Sequence, residues 1–513
     1  MAKPAQKIRG LEVLVTAEDA YPVLERAFLG ARQEVIAGFR IFDPETRLRS
    51  DESRAIGETW MDLLAHTLER GVRITLLIGD FDPVNALELH RGTWAAIRRL
   101  SGLRELVSPG SAPLVARAML HPAQIGLIPR LVFGPRARGR IRAMLADGLD
   151  PGRQAPGLIP WCKDTKDGPR LRPFALPRQY PASHHHKLAV FDRERLYIGG
   201  LDLNNRRYDT HAHDQPTQKT WHDVQLMLGD RTLAEAGHRY LESLAETVAG
   251  AKPPPPVPGF LRSQSQPRRF GLTHISPRPA LREIRAAHLR EIARAERLIY
   301  LETQFFRDRV IARALCRAAR RTPDLTLIMT LPGAPEDVAF HGSGSLDSRF
   351  GENLQARCVT KVLRAFGPRV FFGAPVQPRP VRAADSQQDR ARLAGAPLVY
   401  VHAKVSIFDR RAAIVSSANL NGRSLNWDSE AGVILHHPED VAQVQRKVMR
   451  HWLPETAGPE FLDPQSAHAA WAALARENAA GEAGAQRGFI VPYRVAPARR
   501  FGRPVPGAPE AMV

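Results

Sequence analysis

Apolar and polar positions along this chain switch between two periods, and the switch recurs in the same order in each half. Ala20–Arg32 carries apolar residues at helical spacing and leads into Val35-Ile-Ala-Gly-Phe-Arg-Ile-Phe42, a run short and apolar enough to predict a buried strand. Ala280–Arg297, with Leu281, Ile284, Leu289 and Ile292 on one helical face, leads likewise into Leu298-Ile-Tyr-Leu-Glu-Thr-Gln-Phe-Phe306. Aligning Ala31 with Ala295 puts Phe42 on Phe306, so the halves form a weak internal repeat. Each half then continues with a helix and a second apolar strand: Trp60–Arg70 into Val72–Gly79, and Ile311–Arg320 into Leu325–Pro332. Helix and strand in alternation predict an α/β fold of two lobes with largely parallel sheets.

Lys252-Pro-Pro-Pro-Pro-Val-Pro-Gly259 divides the repeat units, because successive prolines continue neither a helix nor a central strand. The expected organisation is an N-terminal lobe 1–251, a proline-rich linker 252–259 and a C-terminal lobe 260–513. Residues 101–181, rich in proline, glycine and arginine, have no counterpart of equal character in the second half and read as an insertion. Within it, Leu114–Leu145 mixes apolar residues with Arg117, Arg130, Arg136, Arg138, Arg140 and Arg142. That pattern fits an interfacial segment touching a membrane, and equally an irregular loop with snorkelling arginines.

Composition bounds the class. A 513-residue chain, 43% hydrophobic and 25% charged, has room for two lobes with their own cores. Its longest apolar runs, such as Ile74–Gly79 and Leu325–Pro332, fall far short of a membrane span, and the basic start Met1–Gly10 is followed by no export core. The expectation is a soluble, cytoplasmic protein, peripheral at most to a membrane. The net charge of +20 rests on sixty-three arginines and only ten lysines. Such a surface attracts polyanions: nucleic acid, anionic bilayers or phosphorylated substrates. Arginine used for solubility in a GC-rich genome is the plainer account. Cys162, Cys316 and Cys358 are too few and too scattered for a disulfide framework or a zinc site and read as reduced thiols.

Against so few lysines, two motifs stand out. His185-His-Lys187-Leu-Ala-Val-Phe-Asp192 and His402-Ala-Lys404-Val-Ser-Ile-Phe-Asp409 both read His-x-Lys-x-x-x-x-Asp, one in each half. Seven residues after each aspartate come Gly199-Gly-Leu-Asp202 and Ser416-Ser-Ala-Asn419. The spacing selects His185 within the run His184–His186. On a strand, His and Lys two residues apart share a face, with Leu188 and Val190, or Val405 and Ile407, behind them. The chemistry follows from the residue types. Two ammonium groups neutralise a phosphodiester that otherwise repels nucleophiles, one neutral imidazole attacks phosphorus, and a protonated one supplies the leaving oxygen with its proton. This cationic cradle takes the place of a metal, so neither a metal site nor a cofactor is expected. Asp192 and Asp409, of opposite parity and beside turn residues, complete the signature as structural groups.

The duplicated motif resembles the phospholipase D superfamily over about Gln33 to Leu435, apart from the insertion. The resemblance implies two α/β lobes related by a pseudo-twofold axis, each a mixed sheet flanked by helices, with both motifs meeting at one site. It implies a phosphohistidine route in which His185 is the nucleophile and His402 the acid. Lys187, Lys404 and Asn419 would line the phosphate site, with Asp202 and Ser417 at the matching asparagine and serine positions. A carboxylate from the following segment would orient each histidine: Asp223 of Trp221-His222-Asp223 in the first half, and Glu430 in the second. Glu302 and Gln304 resemble the family's Glu-Asn-Gln strand. Gly199-Gly-Leu-Asp202, Arg207-Tyr-Asp-Thr210 and Trp221-His222-Asp223 look closest to phosphatidylcholine-hydrolysing enzymes.

Departures limit the transfer. Gly200 lacks a serine hydroxyl, and the first lobe has Gly38-Phe-Arg40 where the second has Glu302-Thr-Gln304. His211-Ala-His213-Asp214 lies in a polar loop without further metal ligands nearby in the chain, and Gly342-Ser-Gly-Ser345 lacks the Gly-Lys-Ser/Thr of a phosphate loop. Four functions are compatible: a phospholipase D acting on glycerophospholipids, a phosphatidyltransferase of the cardiolipin-synthase type, a nucleic-acid phosphodiesterase, and a non-enzymatic membrane-associated protein. Two intact motifs argue against the last, and sparse aromatics (7%) argue against a single-strand binder. Both motifs on one chain imply a monomer, and a glycerophospholipid substrate implies transient contact with a membrane surface, with nucleic acid the less favoured partner.

Overall fold

A computed structural model describes residues 6–512, so the first five residues of the basic N-terminal stretch lie outside it. Two sheets carry the fold. The first runs β1 (Glu12–Val15), β2 (Glu34–Phe39), β3 (Arg73–Asp80), β4 (Leu114–Leu120), β5 (Lys187–Phe191), β6 (Arg195–Gly199) and β7 (Val224–Leu228), in the spatial order β1-β7-β6-β5-β2-β3-β4. The second comprises β8 (Phe260–Gln266), β9 (Arg278–Arg282), β10 (Leu298–Thr303), β11 (Thr326–Thr330), β12 (Val370–Pro375), β13 (Lys404–Phe408), β14 (Ala412–Ser416), β15 (Glu430–Leu435) and β16 (Ile490–Pro492), ordered β9-β8-β15-β14-β13-β10-β11-β12-β16. The repeat is visible in the pairing. β2 lies between β5 and β3 just as β10 lies between β13 and β11. Phe42 bridges to Leu203 where Phe306 bridges to Leu420.

The sheets are mixed, not largely parallel. Only β2/β3/β4 and β10/β11/β12 run parallel, through helical crossovers. The motif strands return by tight turns and so pair antiparallel. In those turns Asp192 and Asp409 adopt left-handed φ of 53° and 56°. Their carboxylates accept from three successive backbone N–H groups, those of Arg32, Gln33 and Glu34 and those of Glu296, Arg297 and Leu298. The motif aspartates therefore anchor the central strands, at the opposite end of each motif strand from its histidine.

The backing residues Leu188, Val190, Val405 and Ile407 join one core shared by both sheets. The helices Arg231–Glu242 and Pro438–His451 pack in that central layer, touching strands of both lobes. Outer cores lie on the far faces, one around Phe28, Trp60 and Phe191 and the other around Leu315, Val359 and Phe408.

The 101–181 stretch is not wholly an insertion, because Leu114–Leu120 is β4, in parallel register with β3. Beyond β4 come a helix, Leu127–Ala146, and a small hairpin, Cys162–Thr165 with Gly168–Leu171, around a core of Val84, Ala137, Ile141 and Leu158. The three cysteines are buried and unpaired. Among the described residues no helix is long and apolar enough to cross a membrane.

Candidate active site

Each motif histidine sits just ahead of its strand, since β5 and β13 begin at Lys187 and Lys404. The residues at these positions are extended and tied to the opposite lobe. His184 bridges in parallel to Ser429 and His222 to Val401, while His185 N–H donates to Ser429 O at 2.9 Å and His402 N–H to His222 O at 2.7 Å. These cross-lobe ties bring the His185 and His402 rings to 6.5 Å between centroids. Of the histidine run, His185 alone enters the pocket. His184 meets Ser429 and His186 meets Tyr240, both buried.

The same ties correct the expected carboxylate pairing. Asp223 follows His222 and therefore sits beside His402, with Oδ2 at 2.6 Å from Nδ1. Glu430 follows Ser429 and sits beside His185, with Oε2 at 3.0 Å from Nδ1. Each carboxylate serves the histidine of the other lobe. Where these carboxylates are ionised they only accept, so that Nδ1 then carries the proton and Nε2 keeps its lone pair. Ser417 Oγ–H donates to Glu430 at 2.5 Å and fixes it. At the equivalent position a Cβ on Gly200 would lie 2.1 Å from Asp223 Oδ1, so the missing serine makes room for the carboxylate.

Lys187 and Lys404 fold back on their histidines. Lys187 Nζ donates to His185 O at 2.7 Å, and Lys404 Nζ lies 2.8 Å from His402 Nδ1. Asp202, 3.7 Å from Lys187 Nζ, accepts from the Ile41 N–H and acts as a counter-ion where the second lobe has the neutral Asn419. Asn419 donates to Gln304 at 3.0 Å, and Gln304 to Tyr400 at 2.9 Å. Glu302 does not face the pocket. It accepts from Trp452 Nε1 at 2.7 Å and Tyr300 Oη at 2.5 Å, and it holds His222 Nε2 at 3.2 Å.

Burial sets the electrostatics. It pushes Asp223 up to about 6 and Glu430 up to about 8, against the pull of the lysines. It pushes Lys404 down to about 7, with Asp223 opposing, and lowers Lys187 as well. Both histidines fall well below the imidazole range, through burial and then the neighbouring lysines. Burial, and after it the mutual repulsion of the cations, thus disfavours positive charge at these groups, and a phosphodiester anion placed among them acts the other way.

Three of those cations were not foreseen. Arg40 depresses both His185 and Lys187, and it stands where the repeat places Gln304. Arg207 lies 3.5 Å over Trp221, whose ring is 4.5 Å from that of His402; its buried Nε and Nη1 make no hydrogen bond, and Nη1 lies 3.8 Å from Glu336. Arg423 pairs with Asp428 at 3.0 Å beside Ser183. The signal available in the sequence was positional: Arg207 follows Asp202 by five residues and Arg423 follows Asn419 by four.

The family described as cardiolipin synthase, PLD-like domain, matches residues 288–452. Curated relatives include phospholipase D alpha 1 of Oryza sativa subsp. japonica, 24% identical over 51% of this chain and 46% of its own length. Phospholipase D1 of Schizosaccharomyces pombe is also 24% identical, over 49% of this chain and 25% of its own. The chain thus spans less than half the length of these relatives. Among solved structures, phosphatidylserine synthase of Haemophilus influenzae Rd KW20 shares the fold with a TM-score of 0.50 at 11% identity, covering 87% of this chain and 88% of that one. Duplicated motifs, paired lobes and these relatives together show that the chain is similar to the phospholipase D superfamily.

Proposed function

We propose that this protein is a phospholipase D-type phosphodiesterase that hydrolyses or transphosphatidylates glycerophospholipids through a phosphohistidine. The observation that carries the reading is the pair of crossed histidine–carboxylate dyads, 6.5 Å apart between two lysines. Phosphorus held between the rings meets the Nε2 of one in line with a leaving oxygen that meets the other. His185, 13% exposed against 7% for His402, is the nucleophile. Its Nε2 lone pair forms the P–N bond as the P–O bond to the headgroup alcohol breaks, and His402, protonated, gives that oxygen its Nε2 proton. Bound phosphate offsets the burial and the neighbouring lysines that otherwise disfavour the charged form of His402. Water or an acceptor alcohol then gives its proton to His402 and attacks phosphorus, and the P–N bond breaks. Lys187, Lys404, Arg40 and Arg207 stabilise the charge on the phosphoryl oxygens.

Contact with a bilayer fits the region beside the pocket. Leu131, Val132, Phe133, Phe174, Phe270 and Leu272 are exposed, Phe174 at 92% and Phe270 at 90%. The helix Leu127–Ala146 docks on the Gly271–His274 loop through backbone bonds, and Arg130 donates to Leu176 O, so these side chains gather in one region. The arginines Arg136, Arg138, Arg140 and Arg142 of the same helix suit anionic headgroups. A monomeric, cytoplasmic enzyme that visits the membrane surface is the corresponding picture. The second reading, a cardiolipin synthase-type phosphatidyltransferase, is favoured by the family match over residues 288–452 and uses the same chemistry with a lipid alcohol as acceptor.

The test is product analysis with phosphatidylcholine, phosphatidylglycerol and single-stranded DNA, each with and without ethanol. Phosphatidate that gives way to phosphatidylethanol supports the proposal, and cardiolipin from phosphatidylglycerol supports the second reading. Cleavage of DNA with both lipids intact overturns both.

A further inference from the structure

The polar loop 209–214 holds a histidine, His213, that the catalytic chemistry does not use. Folding sets it beside two others from distant parts of the chain: His222, just ahead of β7, and His451, the last residue of the helix Pro438–His451. One ring nitrogen from each of the three lies within 4.8 Å of those of the other two. His213 and His222 are buried, and His451 is half-buried.

The outer nitrogens are already committed. His213 Nδ1 lies 2.6 Å from Asp209 Oδ2, and His222 Nε2 lies 3.2 Å from Glu302 Oε2. Since both carboxylates accept, each of these nitrogens carries the proton, which leaves a lone pair on His213 Nε2 and on His222 Nδ1. Carboxylate–imidazole pairs of this kind commonly fix the tautomer and orientation of metal-ligating histidines. His213 Nε2 and His451 Nε2 are 2.9 Å apart, close to the ~3.3 Å that two ligands at ~2.0–2.1 Å subtend at a tetrahedral ion. A hydrogen bond from His451 to His213 accounts for that pair alone. It leaves His222 Nδ1 buried and without a partner.

We propose that His213, His222 and His451 bind a divalent transition-metal ion, zinc first, at a site separate from the catalytic pocket. Three imidazoles suit zinc, copper or nickel and not calcium or magnesium, which take oxygen ligands. Trp452, stacked on His213 at 16°, and Phe489 wall the inner side. The ion joins the lobes and clamps His222, whose carbonyl accepts from the His402 N–H and whose neighbour Asp223 holds the His402 ring. Its role is to position that segment.

The test uses the full-length, tag-free protein, stripped with EDTA and freed of chelator, with Co²⁺ as the spectroscopic probe. The expected result is one equivalent of four-coordinate cobalt absorption in the visible, displaced by equimolar Zn²⁺, and a Zn²⁺-dependent rise in melting temperature. His185→Ala keeps the signal, which separates this site from the catalytic histidines. His213→Asn and His451→Asn lose it, and Asp209→Asn weakens binding by about 10–100-fold. These readouts need no lipid activity and stand apart from the proposed function. The wild-type protein decides the matter even where a variant fails to fold: no cobalt spectrum and no melting shift at tenfold excess zinc overturns the proposal. So does a spectrum that survives in both asparagine variants.

Discussion

Asp223, carried by the first lobe, holds the second-lobe His402 at 2.6 Å, and Glu430, carried by the second lobe, holds His185 at 3.0 Å. Neither lobe supplies the carboxylate of its own motif histidine. The catalytic unit exists only when the lobes are docked, and the shared core around Leu188 and Val405 keeps them so.

The crossing makes the carboxylates separable. Asp223→Asn removes the acceptor that orients His402, the proposed acid, and Glu430→Gln does the same to His185, the proposed nucleophile. Each is expected to cost about 10²–10⁴-fold in kcat on phosphatidylcholine. A p-nitrophenyl phosphodiester has a good leaving group and needs little acid, so it recovers most of the Asp223→Asn loss and little of the Glu430→Gln loss. Recovery in Glu430→Gln alone means that the two histidines exchange roles.

The two rings act as one unit. His185→Ala and His402→Ala each remove several orders of magnitude, and the double variant is expected to lose little more than either, because one missing partner already disables the step. A single variant that keeps a tenth of wild-type turnover on phosphatidylcholine contradicts a two-histidine mechanism.

Burial brings Lys404 down to about 7, so in the free enzyme its charge fades as pH rises through neutrality. Anion capture needs the ammonium form, and kcat/KM is therefore expected to fall above about pH 7, while bound phosphate moves the limb in kcat to higher pH. Lys404→Arg keeps its charge throughout, so whatever its absolute rate, its kcat/KM profile is expected to lose that limb. An unchanged limb in Lys404→Arg assigns the titration to another group.

Gly200 is a steric test of Asp223. An added Cβ meets Asp223 Oδ1 at 2.1 Å, so Gly200→Ala displaces the carboxylate from His402. The expected phenotype is that of Asp223→Asn, including recovery with the activated leaving group, in a protein that still folds. Full activity of Gly200→Ala on phosphatidylcholine would show that Asp223 can move without cost.

Much of this was legible in the order of residues. The repeat, the alternation of helix and strand and the two His-x-Lys motifs are local patterns, set by the period of apolar burial and the direct neighbourhood of imidazole and ammonium. The apolar backing Leu188, Val190, Val405 and Ile407 follows from strand parity and lies in the central core. That Asp192 and Asp409 are structural groups was also legible from strand parity and the turn residues beside them, although the backbone N–H groups they hold lie more than a hundred residues away in the chain.

Contacts between segments far apart in the chain were left open by the sequence. Glu302 was singled out by its strand motif as a substrate-binding or orienting residue, but a strand has two faces, and packing turns this carboxylate toward His222 and Trp452. The pairing of Asp223 with His402 depends on the parallel bridge between His222 and Val401, a tie across the lobes that no spacing within either half encodes. His213 read as one histidine in a polar loop, and only the docking of the Pro438–His451 helix supplies His451 beside it. Side-chain period and motif spacing are properties of neighbours in the chain and so were determined by the sequence alone. Which carboxylate, cation or imidazole meets which is a property of how the two sheets pack, and the tertiary structure decided it.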